Sequence, residues 1–352
     1  MSITFSDFLI NLISTPVLLI ISILISAVMF INGCSDVPNA IATCVSTRSL
    51  SPKKALVLAA IFNSLGVFVV TLITSKVAET VFHIVNFEGD GMSSIISLCS
   101  ALVGIVLWCT ISWLFGIPSS QSHALIAGIS GAAIALQGNL SGINFEEWKK
   151  VLYGLFIVNI LAFFMGFFIT KIIEKICKNM DRRKTNRFFK KMQIFGAVSM
   201  CFMNGAQDGQ KFMAILLLGV VLANGNTQLL SNFSIPMWLM VYCSLLIAMG
   251  AIIGGIRIIK TIGTKVSKVE RYQGTAADIS STLCLIGSSV LGIPVSSTHT
   301  KNCAVMGVGA SKRLSNVNWK VAKNIVLTWL LTFPGCGLLG YILTKISISL
   351  FL

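Results

Sequence analysis

Two short polar motifs occur twice in this chain, in the same order, each set inside apolar sequence. Phe30–Asp36 reads F-I-N-G-C-S-D, and 172 positions later Phe202–Asp208 reads F-M-N-G-A-Q-D. Gly116–His123 reads G-I-P-S-S-Q-S-H, and 176 positions later Gly292–His299 reads G-I-P-V-S-S-T-H. A duplicated chain must place the same polar groups in the same kind of surroundings twice. Here those surroundings are apolar. Paired polar breaks at corresponding positions of two halves are the best sequence pointer to a binding site between membrane-embedded repeats.

Composition supports the membrane setting. Of 352 residues, 55% are hydrophobic and only 11% charged, with a mean hydropathy of +0.86. A soluble domain carries about a quarter charged residues. The length allows roughly 10 spanning or half-spanning segments of about 20 residues. The net charge of +15 does not signal nucleic acid, because the basic residues sit in short gaps between apolar runs. Arg48, Lys53 and Lys54 fill one gap. Lys178, Arg182, Arg183, Lys184, Arg187, Lys190 and Lys191 fill the central one. Arg257, Lys260, Lys265, Lys268 and Arg271 fill a third; Lys312, Arg313, Lys320 and Lys323 a fourth. The gap Lys76–Met92 instead carries Glu79, Glu88 and Asp90, and Asn224–Ser234 has no charge. Lys and Arg concentrate in cytoplasmic loops, so the four basic gaps are expected inside.

Threading the spans between these gaps gives a topology. Pro16–Cys44 runs inward and Ala55–Ser75 outward. Ser93–Gly138 starts and ends outside, and Val151–Cys177 goes in. Met192–Ala223 goes out, Ile235–Ile259 comes in, Thr275–Ala310 starts and ends inside, and Asn324–Lys345 exits. The first half starts outside and the second inside. The expected fold is therefore an all-α polytopic membrane protein of two inverted-topology repeats with broken helices and helical hairpins carrying re-entrant tips. Residues 1–177 form the first repeat, 178–191 a basic cytoplasmic linker and 192–352 the second repeat. No removable signal peptide is expected, since Met1–Ser14 has no basic start. The ten Cys show no C-x-x-C spacing and read as small buried hydrophobes.

Within the spans, Asp36 and Asp208 end the matching motifs. A carboxylate in hydrocarbon needs a partner or water, and by default marks function. The plain alternative is a structural ion pair with Lys211. The Asn-Gly before each Asp is expected to break the helix and free carbonyl oxygens, giving a hard-oxygen set for Na⁺; a proton needs the carboxylate alone. At the G-I-P tips, Gly and Pro end one helix and Ser/Thr cap the next. Helix N-termini with hydroxyls beside free N–H groups attract anions, and two opposed tips would cradle a tetrahedral oxyanion. The plain alternative there is two capped turns. His123 and His299 read as structural hydrogen-bonders. Lys211 and Lys301 could attract an anion or neutralise an Asp, and Asp278 is a third intramembrane acid whose plain reading is a contact between helices.

On these motifs the chain resembles the inorganic phosphate transporter family, the PiT-type permeases. That family repeats a G-A-N-D signature near the start of each half and P-x-S-x-T-H-type tips later. The matching stretches are Asn32–Ala40, Asn204–Lys211 and, closest, Gly292–Thr300. The resemblance covers nearly the whole chain. It implies symport of inorganic phosphate with Na⁺ or H⁺; relatives carrying sulfate or a related oxyanion make that the alternative, and an anion channel on the same hairpins is a further one. Candidate substrate ligands are Ser119, Ser120, Ser122, Ser296, Ser297, Thr298, Asn32, Asn204 and Lys211. Candidate Na⁺ ligands are Asp36, Asp208, Asn39 and Asp278. The chain departs from the family pattern at Ser35 and Gln207 (for Asn), Asn63 (for Glu), Asp278 (for Glu) and Pro38 (for a small residue). These lie where cation ligands are expected, so they bear on the coupling ion.

An enzyme is not expected. An intramembrane aspartyl protease would need a G-x-G-D motif, which is absent, and gives the Ser-rich tips no role. A purely structural membrane protein would not explain four repeated polar motifs. No cofactor is expected beyond the coupling ion. Expected partners are phosphate or sulfate and membrane lipids, with a homodimer left open and nucleic acid excluded; the expected location is multi-pass in the plasma (cytoplasmic) membrane. The topology is testable. Single Cys residues introduced in Lys178–Lys191 and Arg257–Arg271 should be labelled from the cytoplasmic side; labelling of both only from outside would reject the inverted arrangement.

Overall fold

In hydrocarbon every backbone N–H and C=O must find a partner inside the protein, and helices satisfy that requirement segment by segment. The computed structural model follows it: almost every described residue is helical. It describes residues 4–87, 91–115, 119–224, 233–265, 269–317 and 319–351, with backbone alone at 224, 256–265, 316, 321, 324 and 325. The first-half tip residues Gly116–Pro118, the acids Glu88 and Asp90, basic Lys268 and most of Asn224–Ser234 lie outside the described residues.

A capping box between Thr4 and Asp7 starts α1 (Phe5–Ser14), each side chain bonding the other's backbone N–H at 3.2 Å. Pro16 opens α2 (Pro16–Ala40), a position where its missing N–H costs nothing. There follow α3 (Ala42–Ser46), α4 (Pro52–Ile73), α5 (Lys76–Phe82), α6 (Gly91–Phe115) and α7 (Gln121–Gln137). A π-turn over Gly154–Val158 joins α8 (Phe145–Tyr153) to α9 (Asn159–Cys177). The second half comprises α10 (Arg182–Asn224), α11 (Met237–Lys265), α12 (Arg271–Val290), α13 (Ser297–Lys312) and α14 (Trp319–Phe351). Seven described segments are long and apolar enough to cross a membrane: α2, α4, α6, α8–α9, α10, α11 and α14. The shorter α7 and α13 are buried on nearly every side, and α10 is the most enclosed of the long helices.

The halves pack reciprocally. α2 lies on α11, and α10 lies on α4. α7 lies on α14, and α13 on α9. α6 touches α2, α7 and α14, whereas α12 touches α10, α13 and α9. Exchanging the halves maps each set of partners onto the other.

Two expectations need correction. The Asn-Gly pairs do not break their helices: α2 continues to Ala40 and α10 runs unbroken past Asp208. The glycines serve contact instead. A Cβ on Gly33 would lie 2.1 Å from the Ile247 carbonyl oxygen of α11, and one on the matching Gly205 would lie 2.0 Å from the Asn63 carbonyl oxygen of α4. Small residues let helix backbones meet this closely in membranes. Secondly, most of the basic linker is helix. Only Lys178–Asp181 separates α9 from α10, because Asp181 accepts from the N–H groups of Arg183 (2.7 Å) and Lys184 (3.0 Å) and so starts α10 early. Gly205→Ala should lower stability by about 1–3 kcal/mol through overpacking. Thermal unfolding in detergent measures this, and an unchanged midpoint would show that the crossing tolerates a methyl group.

Candidate substrate and cation site

The site is built where the two hairpin tips meet the middles of α2 and α10. Each tip enters its second helix through a serine cap. Ser120 Oγ accepts from His123 N at 3.1 Å and starts α7; Ser296 Oγ accepts from His299 N at 3.3 Å and starts α13. Before α13 the chain turns at Gly292, whose φ of +69° suits glycine. The capping reading of both tips thus holds, and Ser120 and Ser296 have one lone pair engaged. Ser119, Ser122, Ser297 and Thr298 are buried beside them. The hydroxyls of Ser297 and Thr298 have no partner among the described residues.

The two signature acids come together. Asn32 Nδ2 donates to Asp36 Oδ2 (3.3 Å) and to Asp208 Oδ2 (3.4 Å), bridging the carboxylates. Lys211 Nζ lies 3.1 Å from Asp208 Oδ1, 2.8 Å from Ser122 Oγ and 2.5 Å from the Val295 carbonyl oxygen. Ser122 Oγ in turn donates to Asp208 Oδ1 at 3.2 Å. Asp36 also accepts from Ser35 Oγ at 3.2 Å, with Thr298 next to it. Asp208 therefore has an ammonium partner, whereas Asp36 is bonded only by neutral donors among the described residues. Asn204, one turn before Asp208, is buried with both amide atoms unbonded, as is Asn32 Oδ1. The cluster joins α2, α10, the α7 start and the chain before α13.

Asp278 and Lys301 form a separate cluster. They are ion-paired to each other. Asp278 also accepts from Thr43 Oγ1 (3.0 Å) and Gln193 Nε2 (2.6 Å). No hydrogen bond or ion pair links them to Asp36 or Asp208 among the described residues, so Asp278 stands with a tethered cation rather than with the signature acids. Both partners are fully buried. Removing one partner of a buried pair costs about 3–5 kcal/mol, because the survivor is left charged and alone. Lys301→Met should therefore unfold at a much lower temperature than the parent, and Lys301→Met with Asp278→Asn should regain most of the loss. A single variant as stable as the parent would show that the pair does not hold the fold.

Asn39 is buried near the end of α2 with Oδ1 unbonded, and no bond joins it to either signature acid. Asn63, at the position where the resemblance leads one to expect Glu, donates to the Cys201 carbonyl at 3.4 Å. His123 and His299 meet edge to face, with ring centroids 4.6 Å apart, and His299 stacks on Trp329 at 3.8 Å; they close the packing between the tips. Sequence reasoning missed two glutamines. Gln121 Nε2 donates to Ser35 Oγ (2.6 Å) and to the Ile31 carbonyl (3.3 Å). Gln207 Nε2 donates to Ser288 Oγ (3.1 Å), Ser289 Oγ (2.9 Å) and the Ile293 carbonyl (3.4 Å). The signal was present: the first half has Ser35 in the span and Gln121 in the tip, whereas the second has Gln207 in the span and Ser297 in the tip. Each half uses one long amide to tie signature to hairpin, supplied from opposite sides.

Comparison with known proteins shows the family. The sequence pattern of the phosphate transporter family matches residues 32–340. A Bacillus subtilis protein named "Probable low-affinity inorganic phosphate transporter" is 37% identical over 93% of this chain and 97% of its own length. A Rhizobium meliloti protein of the same name is 35% identical over 88% of this chain and 90% of its own. A solved structure titled "The sodium-dependent phosphate transporter" shares the fold, with a TM-score of 0.83 at 22% identity, over 96% of this chain and all of that one. The chain is a multi-pass integral membrane protein, a transporter rather than an enzyme, and it belongs to the phosphate transporter family.

Proposed function

We propose that the chain carries inorganic phosphate across the membrane as a cation-coupled symporter, with the anion held between the two tips and the coupling cation at Asp36. Charge balance is the observation that carries this reading. Asp36, Asp208 and Lys211 share one sealed cluster, and with both acids ionised, two carboxylates against one ammonium leave a net charge of −1. A net charge in a low-dielectric core is expensive. A phosphate adds further negative charge, so entry of the anion without a cation would worsen the imbalance. A cation bound at Asp36 relieves it, and the two ligands then strengthen each other reciprocally.

The ligand chemistry supports Na⁺. The Asp36 carboxylate, the Ser35 and Thr298 hydroxyls and the unbonded Asn32 amide oxygen are hard oxygen donors. For the anion, the second half offers the unbonded Ser297 hydroxyl, the Asn204 amide and the charge of the Lys211 ammonium, and the first-half tip joins them through Ser122, which bonds Lys211. Asp278 is left out of the coupling site because Lys301 already neutralises it. The reciprocal packing of the halves supports two repeats, 1–177 and 192–352, of inverted topology, the plan by which alternating access exposes one site to each side in turn.

The test is uptake of labelled phosphate and sulfate into proteoliposomes, with Na⁺ and H⁺ gradients imposed separately. Phosphate accumulation driven by Na⁺, with counterflow, is expected. Asp36→Asn keeps the size and removes the charge; it should abolish gradient-driven accumulation while the protein stays folded. A folded Asp36→Asn protein that accumulates phosphate normally would sink the coupling role. Accumulation driven by a pH gradient without Na⁺ would assign the role to H⁺, and uptake without counterflow would favour a channel.

A further inference from the structure

Where α9 gives way to α10, two cavities share a wall formed by Ile173, Cys177, Met180, Thr185 and Phe189. One, of about 600 Å³, is lined by charged groups: Glu174, Lys178, Arg182, Glu270 and Arg271. The other, of about 760 Å³, is lined mainly by apolar side chains, among them Ile176, Phe188, Met192 and Ile279. Ile176, Met180 and Phe188 are each more than half exposed. The double cavity lies at the C-terminal end of α9, which closes an apolar segment long enough to cross a membrane.

The charges in the polar half do not cancel. Glu174 accepts from the Tyr272 hydroxyl at 2.9 Å, and Glu270 is paired with Lys312 at 2.8 Å. Arg271 gives one N–H to Asn186 at 3.3 Å and keeps the rest of its guanidinium. Lys178 and Arg182 are exposed and have no hydrogen-bond or ion-pair partner among the described residues. Three cations thus face two acids, of which Glu270 is already neutralised by Lys312, and an apolar cavity opens through the common wall.

We propose that this double cavity binds one anionic phospholipid. Its phosphodiester lies against Lys178, Arg182 and Arg271, and an acyl chain fills the apolar half between α9, α10 and α12. A free phosphate would use only the charged half, and a zwitterionic lipid would bring its own cation to a place already rich in them. Basic pockets at the membrane ends of helices recognise anionic headgroups in this way. The lipid would bridge the last helix of the first half and the first of the second.

The experiment is thermal unfolding of the purified full chain in detergent, titrated with long-chain phosphatidylglycerol, phosphatidylcholine of the same chains, dibutanoyl phosphatidylglycerol or inorganic phosphate. Long-chain phosphatidylglycerol should raise the midpoint; phosphatidylcholine and the dibutanoyl form should not. Lys178→Gln with Arg182→Gln should weaken the phosphatidylglycerol response by about 30-fold in half-saturating concentration, each cation being worth about fivefold at a membrane surface. Lys320→Gln with Lys323→Gln, on another helix, should leave it unchanged. An equal response to phosphatidylcholine, or one untouched by the Lys178/Arg182 change, overturns the headgroup site. An equal response to the dibutanoyl form overturns the acyl compartment. Stabilisation by inorganic phosphate that depends on Lys178 and Arg182 would make this a free-anion site and overturn the lipid; stabilisation independent of them reports the transport site and leaves the lipid arms to decide. The lipid comparisons need only the parent protein, so a variant that fails to fold does not protect the proposal.

Discussion

Asp36 and Asp208 are held near each other by a single bridging amide, Asn32, yet only Asp208 touches an ammonium. In water the difference would be slight. In a core sealed by α2, α7, α10 and the chain before α13 it decides what the protein can hold, since unbalanced charge there is costly. With both acids ionised the cluster is one positive charge short, and the Asn32 amide oxygen beside them is unbonded among the described residues. The Asp278–Lys301 cluster is already neutral, with its ammonium fixed to the chain. Two acid clusters in one protein therefore differ in whether each carboxylate has its own tethered ammonium.

Holding that cluster dry requires helices that pack without gaps and keep their own hydrogen bonds. The Asn-Gly steps of the signatures show how the two needs are met together. Glycine removes the side chain where α2 meets α11 and where α10 meets α4, so the backbones approach closely. Asparagine, one residue earlier, projects its amide into the site. A broken helix would have freed carbonyls for a cation, but with no water to bond them they would need other partners. The continuous helix keeps its backbone carbonyls in their own hydrogen bonds and leaves side-chain oxygens facing the cluster at this point.

Much of this was legible in the chain because it depends on local pattern. Apolar length and basic gaps located the spans; Gly-Ile-Pro followed by serines located both tips, and Ser120 and Ser296 cap α7 and α13 as that chemistry requires. The repeated acids marked the centre. What could not be read is pairwise and long-range. Thr43 and Asp278 are 235 positions apart, and no motif announces that they meet. Asp278 and Lys301 looked like separate candidates because each is unusual alone. The early start of α10 was hidden because a run of basic residues reads as a loop by charge, while Asp181 supplies the cap that makes it a helix. Gln207 was read as a mere departure and Gln121 was passed over, because their meaning lies in the exchange between span and tip, visible only when both halves are aligned at both places.

That exchange leads to the sharper contrast between the halves. Shifting Gln193 and Thr43 by the 172-position offset of the signatures lands on Ile21 and Ile215. Shifting Asp278 and Lys301 by the 176-position offset of the tips lands on Leu102 and Leu125. All four of those counterparts are fully buried and apolar. One half thus has a hydrocarbon joint where the other has an ion pair with two polar donors. Hydrocarbon contacts resist sliding only through lost packing, and they re-form wherever surfaces fit. An ion pair in a dry core is directional, and separating its members leaves both charges uncompensated. The Asp278–Lys301 joint thus has no polar counterpart at the matching positions of the other half, whereas the centre at Asp36 and Asp208 draws one acid from each.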